Sequence, residues 1–214
     1  MRLLDFHTHL PNIERYRGDS SVIAVRSLMP DEEVDDRSDL FTVGIHPMDK
    51  QRYADPDGLL LRRIDELGER FLGIGECGWD RRSLLSMEEQ TALVRCHIAL
   101  ADRLCCPLIL HVVGGWHLLL RERRSHPEGV WVVHGFRGKP ALLRQLEEAQ
   151  IQVSLHPLYR WDEVPKRPFF IETDECDLPL REIYSRVAKQ LGEPLTELSQ
   201  RILSSYSRLL TSDR

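Results

Sequence analysis

Met1-Arg-Leu-Leu-Asp-Phe-His-Thr-His-Leu10 opens the chain, and the reading of the whole works outward from it. Leu3 to Leu10 has the pattern of a short apolar strand running into two histidines. Side chains alternate across a strand, so His7 and His9 project to one side at its carboxyl end, with Asp5 one step behind them. Two imidazoles on one side make a ready bidentate metal site, and Asp5 is placed to orient one of them through a hydrogen bond. A strand that merely ends in two exposed histidines has the same spacing, so the rest of the chain has to decide.

Further short apolar runs follow at 21–27, 41–46, 71–77, 107–113, 130–134, 151–155 and 169–174. Most are continuous rather than alternating, the mark of strands buried on both faces as in parallel sheets. Amphipathic segments lie between them. Residues 57–69 put Leu60, Ile64 and Leu67 on one face. Ser86-Met-Glu-Glu89 matches a capping box and opens a helix with a stripe of Leu93, Cys96, Leu100 and Leu104. A short helix is expected at 116–124, and Pro140 opens another with Leu142, Leu143 and Leu146 inward. Two helices close the chain, at 180–191 and 195–210, broken apart by Gly192 and Pro194. Eight strands interleaved with helices predict a compact TIM-type (β/α) barrel, one domain over residues 1–214. The chain is short for that fold. The links at 11–20, 28–40 and 156–168 leave little room, so some outer helices are expected to be shortened, absent or 3₁₀. The structural alternative is a doubly wound open sheet, which no Gly-rich phosphate loop supports.

Composition narrows the function. A 42% hydrophobic content supplies a substantial core, and a formal net charge of −5 argues against broad electrostatic capture of nucleic acid while leaving room for a local basic cleft. Five cysteines without a C-x-x-C, mostly in apolar runs, fit reduced, buried thiols of a cytoplasmic protein. Arg2 and Asp5 interrupt the N-terminus, so no signal peptide is expected, and no apolar stretch is long enough for a membrane span. Oligomeric state is not legible.

The polar residues then fall into place. His7 and His9 end the first strand, His46 the third, Glu76 the fourth, His111 the fifth, His134 the sixth and Asp174 the eighth. In a parallel barrel these carboxyl ends share the face that carries active sites. Imidazoles and carboxylates are the donors that bind Zn²⁺, Mn²⁺ or Mg²⁺. His97, His117, His126 and His156 fall on helices and loops and read as structural or solvent-facing. His46 sits in a Gly-Ile-His-Pro turn and reads as a substrate contact or a support rather than a primary ligand.

Leu3-Leu-Asp-Phe-His-Thr-His-Leu10, Gly44-Ile-His-Pro47, Gly75-Glu-Cys-Gly-Trp-Asp80, Pro107-Leu-Ile-Leu-His111, Val133-His-Gly-Phe-Arg-Gly138 and Ile171-Glu-Thr-Asp174 follow one another in order. They resemble the successive motifs of the TatD-type metal-dependent hydrolases, a deoxyribonuclease family within the amidohydrolase-like barrel superfamily. The resemblance runs from Leu3 to Asp174 and weakly beyond. It implies two divalent metal ions, Mg, Mn or Zn. His7, His9 and Asp174 would bind the first, His111 and His134 the second, and Glu76 would bridge. It also implies hydrolysis of phosphodiester bonds in DNA or another phosphate-containing substrate by an activated water, with Asp174 able to accept its proton.

Three positions depart from the family pattern. Phe6 stands where a small residue is usual, Val113 where an arginine is usual, and Cys176 where proline is usual. Guanidinium is the natural partner of phosphate oxygens, so Val113 puts the phosphate clamp in question. Arg137 and Lys139, just after His134, are possible substitutes or solvated loop charges. The competing functions are a metal hydrolase of another ester, an amide or a phosphomonoester, and a non-catalytic binding barrel. The last is disfavoured because six buried ionisable side chains are costly without a metal to pair them.

Overall fold

The computed structural model describes all residues except 37, 50–52, 160–164 and 212–214. Its eight strands are β1 (Leu3–Thr8), β2 (Val22–Leu28), β3 (Leu40–Val43), β4 (Phe71–Asp80), β5 (Leu108–Val113), β6 (Trp131–Phe136), β7 (Ile151–Leu155) and β8 (Phe169–Ile171). They form one sheet in chain order, and every neighbouring pair is parallel. A parallel bridge from Thr8 to Asp174 brings the end of the sheet back to its beginning. The Asp174 N–H donates to the His7 carbonyl at 3.0 Å. The result is a nearly closed TIM-type barrel. Sequential strand order excludes the doubly wound sheet, whose order reverses at a switch point.

The helices are α1 (Leu10–Arg15), α2 (Pro56–Leu67), α3 (Met87–Leu104), α4 (Trp116–Ser125), α5 (Pro140–Glu148), α6 (Leu180–Leu191) and α7 (Leu195–Thr211), with a 3₁₀ turn at Gly68–Arg70. Among the described residues no helix lies between β2 and β3 or between β7 and β8, and α1 is under two turns long, as the short links require. Side chains cap the starts of α2 and α3. The Asp55 carboxylate accepts from the Gly58 N–H ahead of α2. Both arms of the Ser86/Glu89 capping box are formed. No described helix is long and apolar enough to cross a membrane.

The buried stripe of α3 differs from the expected one. Gln90, Thr91, Val94, His97, Ile98, Leu100 and Ala101 are buried, whereas Leu93, Cys96 and Leu104 are half-buried. Polar residues disguised the inward face because each has a partner inside. The Trp79 indole N–H donates to Thr91 at 2.9 Å, and the Asp80 N–H donates to the Gln90 side chain at 2.7 Å. In α5, Leu143 and Leu146 are buried and Leu142 is half-buried. Of the five cysteines only Cys77 is fully buried, and Cys105 is exposed as the left-handed C-cap of α3. The buried-thiol expectation therefore holds for one site.

The β1–β8 seam is packed as well as bridged. Phe6 and Phe170 stack with ring centroids 4.0 Å apart, so the residue that departs from the family pattern fills the seam. Behind it, Tyr184 of α6 donates its hydroxyl to the Leu4 carbonyl at 2.8 Å and accepts from the Leu4 N–H.

Candidate metal centre

The carboxyl ends of the strands open into a cleft of about 1200 Å³ whose wall includes His9, His46, Glu76, His111, His134 and Asp174. Glu76 stands at its centre. One of its oxygens, Oε2, lies 3.2 Å from His7 Nε2 and 3.9 Å from His9 Nε2. The other, Oε1, lies 3.0 Å from His46 Nε2, 3.0 Å from His111 Nδ1 and 2.9 Å from His134 Nε2. His9 Nε2 is 3.3 Å from Asp174 Oδ1. The structure thus brings His7, His9, Glu76, His111, His134 and Asp174 together, with His46 among them. Local backbone makes this possible. Gly78 has φ +150°, and a Cβ there would lie 1.9 Å from the His111 carbonyl oxygen. Only glycine lets β4 run this close to β5.

Distance alone groups His46 with Glu76 and His111. Hydrogen bonding separates them. His46 Nδ1 accepts from the Met48 N–H at 3.0 Å, so in the neutral ring Nε2 carries the proton and faces Glu76 as a donor. His111 is the reverse. Its Nε2 lies 3.0 Å from the Asp80 carboxylate, which only accepts, so Nε2 holds the proton and Nδ1 turns a lone pair into the centre. His134 Nδ1 lies 3.6 Å from the Glu172 carboxylate, beyond hydrogen-bond reach, and its Nε2 faces Glu76. Asp80 and Glu172 are fully buried, and Glu172 is held by the Gly135 N–H at 2.6 Å. Such outer carboxylates fix a ligand's tautomer and orientation.

Sequence reasoning assigned no role to Asp80 or Glu172. Alternation along Ile171-Glu-Thr-Asp174 places Glu172 on the side of Asp174, which was the available signal. Asp5 was expected to orient a histidine, and it does not. Its carboxylate accepts from Thr173 N–H at 2.8 Å, Thr173 hydroxyl at 2.6 Å and Tyr16 hydroxyl at 2.6 Å. Barrel closure brings Thr173 beside Asp5 and claims both its oxygens. His97 is buried and structural, its Nε2 accepting from the Ile45 N–H at 3.0 Å. His156 lies in the cleft wall, not simply in solvent. Arg137 is in that wall too. Lys139 is exposed at the N-cap of α5 and is not part of the wall.

The donor set fits divalent cations. Burial opposes a charge on His134, yet the carboxylates of Glu76 and Glu172 outweigh it and hold its pKa well above the usual value. Burial also works against Glu76, but His134 and His7 keep it well below the usual carboxylate range. Burial and the neighbouring His134 push His7 down. Without a cation, a proton on His134 supplies the positive charge that Glu76 requires. His7 Nε2 and His134 Nδ1 are buried and lack hydrogen-bond partners among the described residues, and His111 Nδ1 and His134 Nε2 converge 3.2 Å apart. Divalent cations held among these donors and the carboxylates would satisfy them.

Similarity to known proteins agrees with this geometry. The YJJV homologue of TatD from Escherichia coli K12 superposes with a TM-score of 0.78 at 19% identity, over 98% of each chain. A TatD-family hydrolase from Entamoeba histolytica gives 0.71 at 14% identity, over 95% of this chain and 83% of that one. An uncharacterised amidohydrolase from Saccharomyces cerevisiae gives 0.58 at 13% identity, over 94% and 84%. At these identities the likeness is one of fold. No curated protein matches the sequence. The sequence model of the family described as TatD related DNase matches residues 31–210. Because that match takes in Glu76, His111, His134 and Asp174 together with most of the barrel, the chain belongs to the family of TatD-related DNases.

Proposed function

We propose that this hydrolase-family chain cleaves phosphodiester bonds, in DNA or another phosphate-containing substrate, with two divalent cations and water as the nucleophile. The observation that carries the reading is the sorting of the imidazoles around Glu76. His111 turns a lone pair inward beside His134 Nε2, while His46 turns an N–H inward. His7, His9 and Asp174 would hold one cation, His111 and His134 the other, and Glu76 both. Bound there, the cations supply positive charge for an anionic transition state and acidify the attacking water.

The chain's own groups do the rest. Burial opposes a charge on Asp174, but the hydrogen bond from His9 together with the charges of His134 and His7 outweighs it and holds the carboxylate ionised. In that form it can take the proton of the attacking water, the role the family resemblance implies for it. His46, as an N–H donor, stabilises charge on Glu76 or on a substrate oxygen. Arg137 adds positive charge to the wall.

Elemental analysis after reconstitution with Mg²⁺, Mn²⁺ or Zn²⁺ tests the cations. A turnover panel of DNA ends, bis(p-nitrophenyl) phosphate, p-nitrophenyl phosphate, a carboxylic ester and an amide tests the bond. Phosphodiesters are expected to be preferred by roughly tenfold or more in kcat/KM, about 1.4 kcal/mol of transition-state preference. Preference for the amide or carboxylic ester would overturn the reading.

A further inference from the structure

We infer that Arg81 is the guanidinium that grips the substrate's phosphate in this cleft; the inference rests on the phosphodiesterase reading above. Past the metal-facing residues, the ends of β4 and β5 form a small ladder of their own. Asp80 pairs with Val113 and makes an antiparallel bridge to Gly114, and the Arg81 N–H donates to the Val113 carbonyl at 2.9 Å. The ladder pins Arg81 beside the end of β5, two residues beyond His111. Gly114 has φ +88°, and a Cβ on it would lie 3.0 Å from Arg81 Cδ and 3.3 Å from Arg81 Cβ. The glycine therefore leaves the space over which the arginine stem lies. Past His111, β5 contributes the aliphatic Val112 and Val113 to the cleft wall.

The neighbouring arginine is already committed. Arg82 reaches Asp80 through Nε at 3.0 Å and 3.2 Å and through Nη2 at 2.6 Å. That carboxylate in turn orients His111, so Arg82 steadies the centre. Arg81 also lines the cleft, and among the described residues no carboxylate pairs with it. A planar fork without an internal partner, next to a cation centre, matches the two oxygens of a phosphate better than it matches a neutral ester or amide. Arg81 is thus a specificity-determining residue for anionic substrates.

The test uses metal-loaded Arg81→Ala and Arg81→Lys proteins. Inorganic phosphate binding is measured by titration calorimetry. KM and kcat are measured on bis(p-nitrophenyl) phosphate and on the neutral p-nitrophenyl acetate. Arg81→Ala should weaken phosphate binding about ten- to a hundredfold and raise KM for the phosphodiester in step, with less change in kcat and none on the neutral ester. Arg81→Lys should recover part of the affinity, as a point charge without the fork. Unchanged phosphate binding, or equal loss on both substrates, would overturn the assignment. Arg81-dependent phosphate binding in a protein that cleaves no phosphodiester would sustain the grip and sink the reaction. Phosphodiester cleavage with phosphate binding indifferent to Arg81 would do the opposite.

Discussion

The two walls of the centre aim similar side chains by different means. His7 comes from β1, His9 from the residue that caps α1 just past it, and Asp174 from the segment after β8, where a bridge from Thr8 to Asp174 closes the barrel. Their aim depends on hydrogen bonds across the seam: Asp5 to Thr173, Thr8 to Thr173 at 2.7 Å, and Asn12 to the Asp174 carbonyl at 2.9 Å. Glu76, His111 and His134 come from three adjacent laddered strands, and each of these histidines is backed by a buried carboxylate. One wall is held by backbone and hydroxyl hydrogen bonds, the other by buried charge. The same metal chemistry can be supported either way, but the two supports should fail under different conditions.

The largest expected effect falls on the residue common to both walls. Glu76→Gln should lose both cations and at least about a thousandfold in kcat/KM, about 4 kcal/mol. Elemental analysis that finds one ion fully retained would confine Glu76 to one wall.

Next come opposite responses to pH. Burial pushes the Asp5 carboxyl at the seam up to about 7. Between the ordinary value near 4 and pH 7 the folded chain keeps a proton that the unfolded chain has lost. Asp5 therefore lowers stability as pH rises through that window, by about 4 kcal/mol. On the other side, burial drives His97 down to about 4, and its neutral ring accepts the Ile45 N–H that precedes His46. As pH falls from 6.5 to about 4 the unfolded chain takes up a proton that the folded one refuses. This contribution is lost in acid, about 3 kcal/mol at its limit. Denaturant melts of metal-free Asp5→Asn and His97→Gln from pH 4 to 7, each subtracted from the parent, should give slopes of opposite sign. Slopes of one sign would break the comparison.

Smaller effects separate the supports. Glu172→Gln should weaken cation affinity by about ten- to a hundredfold through His134, with His7 and His9 unaffected. Competition with a metal-binding dye measures it, and an unchanged affinity would remove the charge-held description of that wall. Arg82→Ala is expected to cost least, with the smallest shift in thermal melting of these variants, because its side chain is 64% exposed and the pair is screened by solvent. A larger loss would mean that Asp80 depends on its surface partner.

Much of this was readable in the chain before folding. Strand periodicity placed His7 and His9 on one side of β1, and apolar runs ending in Glu76, His111, His134 and Asp174 announced a parallel barrel with its polar ends together. The capping box at Ser86 set the start of α3. Periodicity failed where buried polar residues found partners, as with Thr91 and His97 in α3. It also failed where a partner lies on a strand remote in sequence. Asp5 was legible as a carboxylate beside the histidines, but only closure of β8 onto β1 supplied the Thr173 amide that claims it. Glu172 and Asp80 stood in plain motifs, yet their roles depend on which imidazole each meets. His46 was legible as a functional histidine, but only the structure brought the Met48 amide to its Nδ1 and so turned an N–H toward Glu76. Arg81 became distinct from Arg82 only when the β4–β5 ladder laid its stem over Gly114. The physical reason is range. Alternation and capping are settled within a few residues, so sequence determines which face a side chain takes. Tautomers, buried charges and guanidinium partners are settled by neighbours that only the register of the closed sheet brings within 3 Å or so.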